Sequence, residues 1–138
     1  VQEKRNTHML ATTQLMGLDL GFPDVCLTPP ALLPIPYPDM GFPMMAIPIA
    51  VTILFMGGFA HNMMTTIPLT LGDFPGVGTG ILSQTVVGQS RRLFLNSYTT
   101  FLFGTPANRL CSFGLQNMFN IIGFTLVPGN FIVSILAP

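Results

Sequence analysis

Short apolar runs that stop at glycine or proline set the pattern of this chain. Such runs, rich in Val, Ile, Phe and Thr, are typical of β-strands. The predicted strands cover residues 49–56, 79–88, 92–103, 121–126 and 130–136. Turn residues recur about every 8–12 positions, which is the spacing of an all-β domain. Only residues 110–119 offer a weak helical pattern, so we expect an all-β fold.

The longest apolar stretch, residues 42–60, carries no formal charge, and a hydropathy window would flag it as a membrane segment. Pro43 and Pro48 interrupt its first half and Gly57-Gly58 its second half, which disfavours a continuous helix. We therefore interpret residues 49–56 as a strand. A small membrane-inserting protein that uses residues 42–60 is the alternative function that this pattern leaves open.

Composition narrows the classes of function. Charged residues make up 7% of the 138 positions, against about 25% in ordinary proteins. The five basic and five acidic side chains cancel, and five scattered cations cannot follow a phosphate backbone, so we expect no nucleic-acid partner. So few charges indicate a surface that a partner covers or a segment that lies in lipid. Two cysteines are too few for a disulfide scaffold, and the sequence leaves their pairing open.

Two segments, residues 52–62 and 100–109, resemble each other. Both run from an apolar strand through glycine to a small residue and then to asparagine. Each is predicted to form a β-hairpin whose apex needs glycine for a positive φ. The repeat indicates one structural unit used twice around a common axis.

The most specific feature is a proline-rich segment, residues 24–38, with five prolines between positions 29 and 38. Proline fixes an extended, polyproline-like path without internal hydrogen bonds. We interpret the segment as a rigid connector, with a ligand for an aromatic groove as the alternative.

This segment and the landmarks after it resemble the PAAR-like proteins of type VI secretion and related contractile injection systems. The stretch PDVCLTP at residues 23–29 leads into PIPYPD at residues 34–39. The stretches GFAHN, TTIPLTLGD and GTPANR follow in the order that the family has, and the resemblance covers about residues 20–136. The residues that carry the family motifs are Pro23, Asp24, Cys26, Pro34, Pro36, Tyr37, Pro38, Gly58, Asn62, Gly72, Asp73, Gly104, Pro106, Ala107 and Arg109.

The resemblance implies a small cone of short strands and hairpins with a pseudo-three-fold arrangement. Such a cone caps the blunt end of the trimeric VgrG spike, and a single chain on three identical chains needs near-equivalent hairpins around an axis. The implied protein is structural and not an enzyme. Its implied partners are the VgrG trimer, an effector toxin, and a chaperone or adaptor. The domain is expected to span residues 20–138, after a polar leader at residues 1–19.

The resemblance also implies a location. The protein would lie in the bacterial cytoplasm while it is loaded on the spike, and it would then be secreted into the target cell. Because the chain stops soon after the last predicted strand, we expect any effector to bind non-covalently.

Classical PAAR tips are also similar to one another in binding zinc near the apex through His and Cys. The candidate ligands in this domain are Cys26, His61 and Cys111. A closed zinc site takes four ligands, and neither C-x₂-C nor H-x₃-H spacing occurs. We therefore expect no cofactor, with buried neutral cysteines and a hydrogen-bonded His61, and zinc on these side chains is the alternative.

Catalytic motifs are incomplete in this sequence. Gly88-Gln89-Ser90 lacks the second glycine of a nucleophile elbow because position 92 is arginine. Residues 76–80 lack the Lys-Ser/Thr pair of a phosphate loop and read as a glycine-rich turn. We predict that the chain is not an enzyme, and an unrecognised site that uses His61 or Asp73 is the rival hypothesis.

Overall fold

The computed structural model describes residues 8–85 and 87–136, and its regular structure is almost entirely β-strand. The strands are β1 (His8–Leu10), β2 (Leu18–Thr28), β3 (Leu33–Gly41), β4 (Leu54–Phe55), β5 (Gly58–Phe59), β6 (Thr66–Ile67), β7 (Thr70–Leu71), β8 (Ser90–Arg91), β9 (Ser97–Leu102), β10 (Thr105–Ala107), β11 (Phe113–Gln116), β12 (Ile121–Val127) and β13 (Ser134–Leu136). One 3₁₀ turn, Pro43–Met45, follows β3. The predicted all-β fold class is confirmed.

The largest sheet has five antiparallel strands in the order β11-β12-β2-β3-β7. Its centre is the long hairpin of β2 and β3, in which Cys26 lies opposite Ile35 and Asp24 lies opposite Tyr37. The Tyr37 hydroxyl and the Thr28 hydroxyl share a hydrogen bond of 2.8 Å across this hairpin.

The proline-rich segment is extended, as predicted, but it is a paired strand and not an unpaired connector. Pro34, Pro36 and Pro38 occupy every second position of β3. In an antiparallel pair, alternate residues direct their N–H groups to opposite edges of the strand. The residues between the prolines therefore remain able to donate to β2. The prolines face the other edge of β3, where β7 pairs only with Met40 and Gly41, so their missing N–H groups cost no hydrogen bond to β7.

Four two-stranded pairs accompany this sheet in the described residues: β4–β5, β9–β10, β1–β13 and β6–β8. The first two are the predicted repeat, and each turns through two residues of positive φ. These are Met56 and Gly57, with φ of 53° and 84°, and Phe103 and Gly104, with φ of 54° and 81°. That pair of dihedrals is typical of the type I′ turn that joins short hairpins.

The third pair, β1–β13, occupies the place of a third hairpin, but its two strands come from opposite ends of the described chain. β1 pairs with β13 so that Met9 lies opposite Ile135. Both β1 and the first residues of β2 precede residue 20, where the predicted domain begins. The rest of the predicted leader, residues 1–7, lies outside the described residues.

In three of these pairs, one strand continues into a short segment, and the three segments form a triangle. The strands that continue are β1, β5 and β10. The three sides are residues 11–13, 60–62 and 107–109, joined by the bridges Thr13↔Ala60, Asn62↔Ala107 and Ala11↔Arg109. Their central N–H groups close a ring of hydrogen bonds. His61 donates to Thr12 O at 3.1 Å, Asn108 donates to His61 O at 3.1 Å, and Thr12 donates to Asn108 O at 3.3 Å. This ring, called the axial ring below, gives the fold its pseudo-three-fold axis, which confirms the predicted arrangement.

A small apolar core lies beside the axial ring. Each side of the triangle begins with an alanine that has no exposed surface: Ala11, Ala60 and Ala107. The other members of the core are Ala50, Leu102 and Ile135, with Ile53, Phe55 and Val133 packed against them. Alanine at the three equivalent positions lets three backbones approach one another closely.

Several predicted strands are shorter than expected, for local reasons. Of residues 49–56, only Leu54–Phe55 is strand, because a turn at residues 51–52 comes first. The strand predicted at residues 79–88 is replaced, in its described residues, by a turn at residues 80–84, where the N–H of Gln84 donates to Gly80 O at 3.0 Å. In residues 130–136, the Asn130 side-chain oxygen accepts from two following N–H groups and delays the strand to Ser134.

Other predictions have mixed outcomes. The predicted strand at residues 121–126 is confirmed by β12, whereas that at residues 92–103 is confined to β9. The weak helical pattern at residues 110–119 is wrong, since β11 pairs with β12 there.

Residues 42–60 do not form one continuous element. They contain the 3₁₀ turn, irregular chain and the hairpin of β4 and β5, and they bury Ala46, Ala50 and Ala60. Within the residues that the structure describes, no helix has the length and apolar character needed to cross a membrane.

Candidate functional site

The axial ring places three polar side chains together in the interior. Thr12, His61 and Asn108 stand at the centres of its three sides and are almost completely buried. They line a cavity of about 10 Å³, together with Asp19 and Arg92 among others. Within the described residues, Thr12 Oγ1, His61 Nε2 and Asn108 Oδ1 have no hydrogen-bond partner. A cavity of this size and polarity is close to the smallest that holds one water molecule.

Burial governs the charge of His61. It lowers the pKa of the imidazole from 6.5 to about 4, so the ring is neutral at pH 7. Nε2 has no partner among the described residues, so the expectation of a hydrogen-bonded His61 stays a prediction.

A buried ion pair lies on the wall of the same cavity. Arg92 Nη2 is 2.9 Å from Asp19 Oδ2, and both side chains are about 4% exposed. The same guanidinium donates to Gln116 Oε1 at 2.8 Å and to Ser90 Oγ at 2.9 Å. Burial raises the pKa of Asp19, and the positive charge of Arg92 opposes this shift. The pair joins β2 to β11 and to the chain after β8.

A second polar cluster lies where β2 meets the residues after β7. One ligand atom each of Asp24, Cys26 and Asp73 lies within 4.8 Å of the other two, and none of the three residues has exposed surface. The Cys26 thiol donates to Asp73 Oδ2 at 3.2 Å and lies 3.9 Å from Asp24 Oδ1. Asn117 Nδ2 donates to both carboxylates at 2.8 Å, and Asn120 Nδ2 also contacts Asp24.

The glycine-rich turn at residues 76–80 covers this cluster. A Cβ on Gly76 would collide with Cys26 Cβ, and Gly80 forms a bridge with Cys26. Glycine at position 76 is therefore required by close approach of two backbones and not by a bound phosphate. The cluster is therefore enclosed, and none of its three residues reaches the surface.

The predicted zinc ligands do not form one site. Cys26 belongs to the buried cluster, His61 to the axial ring, and Cys111 is exposed. Neither His61 nor Cys111 is part of the three-residue group of metal-ligand side chains found in the described residues. Both cysteines are free thiols.

The other predicted motif residues divide by burial. Asn62, Asp73, Ala107 and Arg109 are buried, as are Gly58 and Pro106, whereas Pro23, Pro34, Pro36, Pro38 and Gly104 are exposed. The Arg109 guanidinium donates through Nε to Leu95 O at 3.1 Å. Gly72 has φ of 139°, and a Cβ there would collide with the Pro38 carbonyl oxygen.

Sequence reasoning missed the asparagines that hold the cluster together. Asn117 has no exposed surface and a φ of 46°, in the left-handed region that asparagine tolerates better than most residues. The signal was the motif Asn-Met-Phe-Asn at residues 117–120, which had been included in a weak helical pattern.

The tips of the two continuous hairpins each expose large apolar side chains. Leu54 and Met56 are exposed on one hairpin, and Phe101 and Phe103 occupy the corresponding positions on the other. A Cβ on Gly57 or Gly104 would meet no atom within 4 Å, so each turn is open to solvent on the side of its glycine.

Comparison with known families identifies the chain. The family model of the toxin PAAR-like domain matches residues 17–123, which is well over half of the sequence. Neither a curated protein nor a solved structure matches. The resemblance drawn from residues 23–39 and the later landmarks is confirmed. The chain belongs to the toxin PAAR-like domain family.

Proposed function

We propose that this chain is the structural tip of a type VI secretion spike and caps the blunt end of a trimeric VgrG spike. The observation that carries the proposal is the axial ring, in which Thr12, His61 and Asn108 are linked in a cycle by three main-chain hydrogen bonds. One chain thereby offers three near-equivalent units to a partner of three identical chains.

The equivalence extends from the ring to the hairpins. The strands β4, β9 and β13 each place one apolar side chain at a matching position. These side chains, Phe55, Leu102 and Ile135, belong to the same core. A three-fold partner presents the same surface three times, so three similar hairpins can each meet one copy of it. A domain without this internal symmetry could match such a partner on one side only.

The proposed docking surface is the set of hairpin tips. Phe103 is 59% exposed and Leu54 is 56% exposed, and large apolar side chains grouped in this way mark interaction sites. Burial of these side chains against VgrG would remove apolar area from water and stabilise the complex.

A second apolar surface is proposed for effector or chaperone binding. Ile122, Phe124 and Leu126 alternate along β12 and are all exposed. Alternate residues of a strand share one face, so these side chains lie on the same face of the five-stranded sheet. None of them belongs to the two hairpins that carry the proposed docking surface. The proposed sequence of locations is the bacterial cytoplasm during loading and the target cell after secretion.

The proposal assigns no catalysis to the domain. Four side chains that could act as an acid, a base or a nucleophile are buried: Asp24, Cys26, Asp73 and His61. A general base or nucleophile has to reach its substrate within hydrogen-bond distance, and these groups are enclosed by backbone.

The test is co-purification of the full chain with a trimeric VgrG from the same bacterium. We expect one chain per trimer by light scattering in detergent-free buffer. Leu54→Asp and Phe103→Asp should each weaken the complex by at least about tenfold, because a charge would be buried at the interface.

Leu82→Asp is the matched control. Leu82 is 65% exposed in the turn that follows Gly80, so the same change leaves the proposed docking surface intact. Equal weakening by Leu54→Asp and Leu82→Asp would reject the hairpin tips as the docking surface. Absence of any complex with wild-type protein would reject the spike-tip function itself.

A further inference from the structure

The buried cluster of Asp24, Cys26 and Asp73 combines three acidic groups, and no salt bridge to any of them occurs within the described residues. Each residue has no exposed surface, and the ligand atoms lie within 4.8 Å of one another. Asp39, another carboxylate without exposed surface, is near enough to raise the pKa of the Cys26 thiol through its charge. Buried carboxylates are ordinarily paired with a cation or hold a proton.

The two buried arginines of the described residues, Arg92 and Arg109, bind other groups. Arg92 pairs with Asp19 at 2.9 Å, and Arg109 donates to Leu95 O. In the described part of the chain, the cluster's donors are the Cys26 thiol and the neutral amides of Asn117 and Asn120, apart from main-chain groups. A neutral amide stabilises a carboxylate but does not cancel its charge.

Two side chains at the cluster also carry an unsatisfied oxygen atom. Asp73 Oδ1 and Asn117 Oδ1 are fully buried, and neither has a hydrogen-bond partner within residues 8–85 and 87–136. Each belongs to a side chain whose other terminal atom touches the cluster. Rotation of the Asn117 amide by half a turn would direct its oxygen, in place of Nδ2, at the two carboxylates.

We propose that Asp24, Cys26 and Asp73 bind one divalent metal ion of the zinc class, with the Asn117 side-chain oxygen as a fourth ligand. No histidine takes part, so this ligand set differs from the His and Cys set that the family resemblance implies. The inference concerns the isolated chain and does not depend on the proposed spike-tip function.

Ligand chemistry favours zinc over calcium or magnesium. Calcium and magnesium prefer sites made of oxygen alone, whereas zinc accepts thiolate and carboxylate together. A tetrahedral zinc ion with ordinary bond lengths separates its sulfur and oxygen ligands by about 3.5 Å. The observed separations from Cys26 Sγ, 3.2 Å to Asp73 and 3.9 Å to Asp24, lie on either side of that value.

Metal binding at this place would join distant parts of the chain. Asp24 and Cys26 lie in β2, Asp73 follows β7, and Asn117 follows β11. Because one ion would link all three segments, binding should stabilise the fold.

The test uses the full chain, made metal-free with a chelator, and zinc chloride as the probe. We expect about one zinc ion per chain by elemental analysis after gel filtration. Cobalt in place of zinc should give a sulfur-to-metal charge-transfer band. Cys26→Ser should abolish that band, and Asp73→Asn should weaken zinc binding by at least about tenfold.

Cys111→Ser and His61→Asn are the matched controls, because they remove the exposed thiol and the buried imidazole that lie outside the cluster. Both should keep stoichiometric zinc. Loss of zinc in either control, or retention of zinc at wild-type affinity in Asp73→Asn, would overturn the proposed ligand set. Failure of the wild-type chain to bind zinc or cobalt would overturn the site altogether, independently of how the variants fold.

Discussion

The side-chain amide of Asn62 donates a hydrogen bond of 3.0 Å to the main-chain carbonyl of Leu102, forty positions further along the chain. This contact ties the end of one hairpin unit to the outer strand of the next. The Asn62 side-chain oxygen also accepts from the N–H of Met64 at 3.1 Å and from the Thr65 hydroxyl. A single fully buried amide therefore holds a turn and a neighbouring hairpin together.

Replacing this amide should destabilise the domain. Asn62→Ala removes the shorter of two side-chain donors to the Leu102 carbonyl, which keeps a 3.5 Å bond from the Thr105 hydroxyl, and it leaves the N–H of Met64 without its acceptor. An unsatisfied buried group costs about 1–3 kcal/mol. We expect a loss of this size in the free energy of unfolding, measured by urea denaturation. Gln89→Ala, which removes an exposed amide, should change it by less than about 0.5 kcal/mol. Equal effects would mean that the Asn62 bond contributes nothing specific.

The alanines of the axial ring should not tolerate larger side chains. Ala107 has no exposed surface and lies against the equivalent units in the core. Ala107→Leu should lower the free energy of unfolding by about 1–3 kcal/mol, because extra methylenes in a packed interior force neighbours apart. The measurement is again urea denaturation.

Ala31→Leu is the control for this change, since Ala31 is exposed in the turn between β2 and β3. It should leave the free energy of unfolding nearly unchanged. A stable Ala107→Leu variant would show that the interior has room to spare at this position.

Gly57 and Gly129 allow backbone strain to be separated from close contact. Their φ values, 84° and 76°, are nearly the same. A Cβ on Gly57 would meet nothing within 4 Å, but one on Gly129 would collide with the Met16 carbonyl oxygen. Gly57→Ala should cost about 1–2 kcal/mol from the left-handed backbone alone, and Gly129→Ala should cost clearly more. Similar thermal unfolding of the two variants would contradict the proximity of Met16.

The sequence pattern predicted two of the three hairpin units and missed the third. Residues 52–62 and 100–109 are continuous in sequence, so their similarity could be seen along the chain. The third unit pairs β1 with β13, whose strands lie at opposite ends of the described chain, and β1 had been assigned to a leader. A repeat split in this way gives no continuous signal. The signal that the sequence did offer is an alanine followed by two polar residues, which recurs at positions 11, 60 and 107.

The candidate site was predictable in part. The motif pointed to Asp24, Cys26 and Asp73 separately, but their meeting depends on a side-chain contact between Cys26 in β2 and Asp73, 47 positions later. Apolar runs led to a different error, because they predicted a strand where the chain forms an exposed turn. Ile81 and Leu82 were included in a predicted strand, yet they are exposed in a turn, since a protein with few charged residues has to place apolar side chains on its surface.

The buried imidazole of His61 should make the stability of the domain depend on pH. Its pKa is lowered by burial from 6.5 to about 4, so between these values the unfolded chain binds a proton that the folded chain does not. The free energy of unfolding therefore rises with pH in this window. The contribution of His61 is complete above pH 6.5 and is lost as pH falls toward 4, with a total on the order of 3 kcal/mol.

His61→Asn isolates this contribution, because it places at position 61 the residue that occupies the equivalent position 108 of the axial ring and that does not titrate. Urea denaturation of both proteins at several pH values between 4 and 8 gives the difference in stability directly. We expect the wild type to lose stability relative to His61→Asn as pH falls from 6.5 to 4, with no change in the difference between pH 7 and 8. A difference that stays constant across the whole range would mean that the folded protein protonates His61 as readily as the unfolded chain, and that the imidazole is not buried.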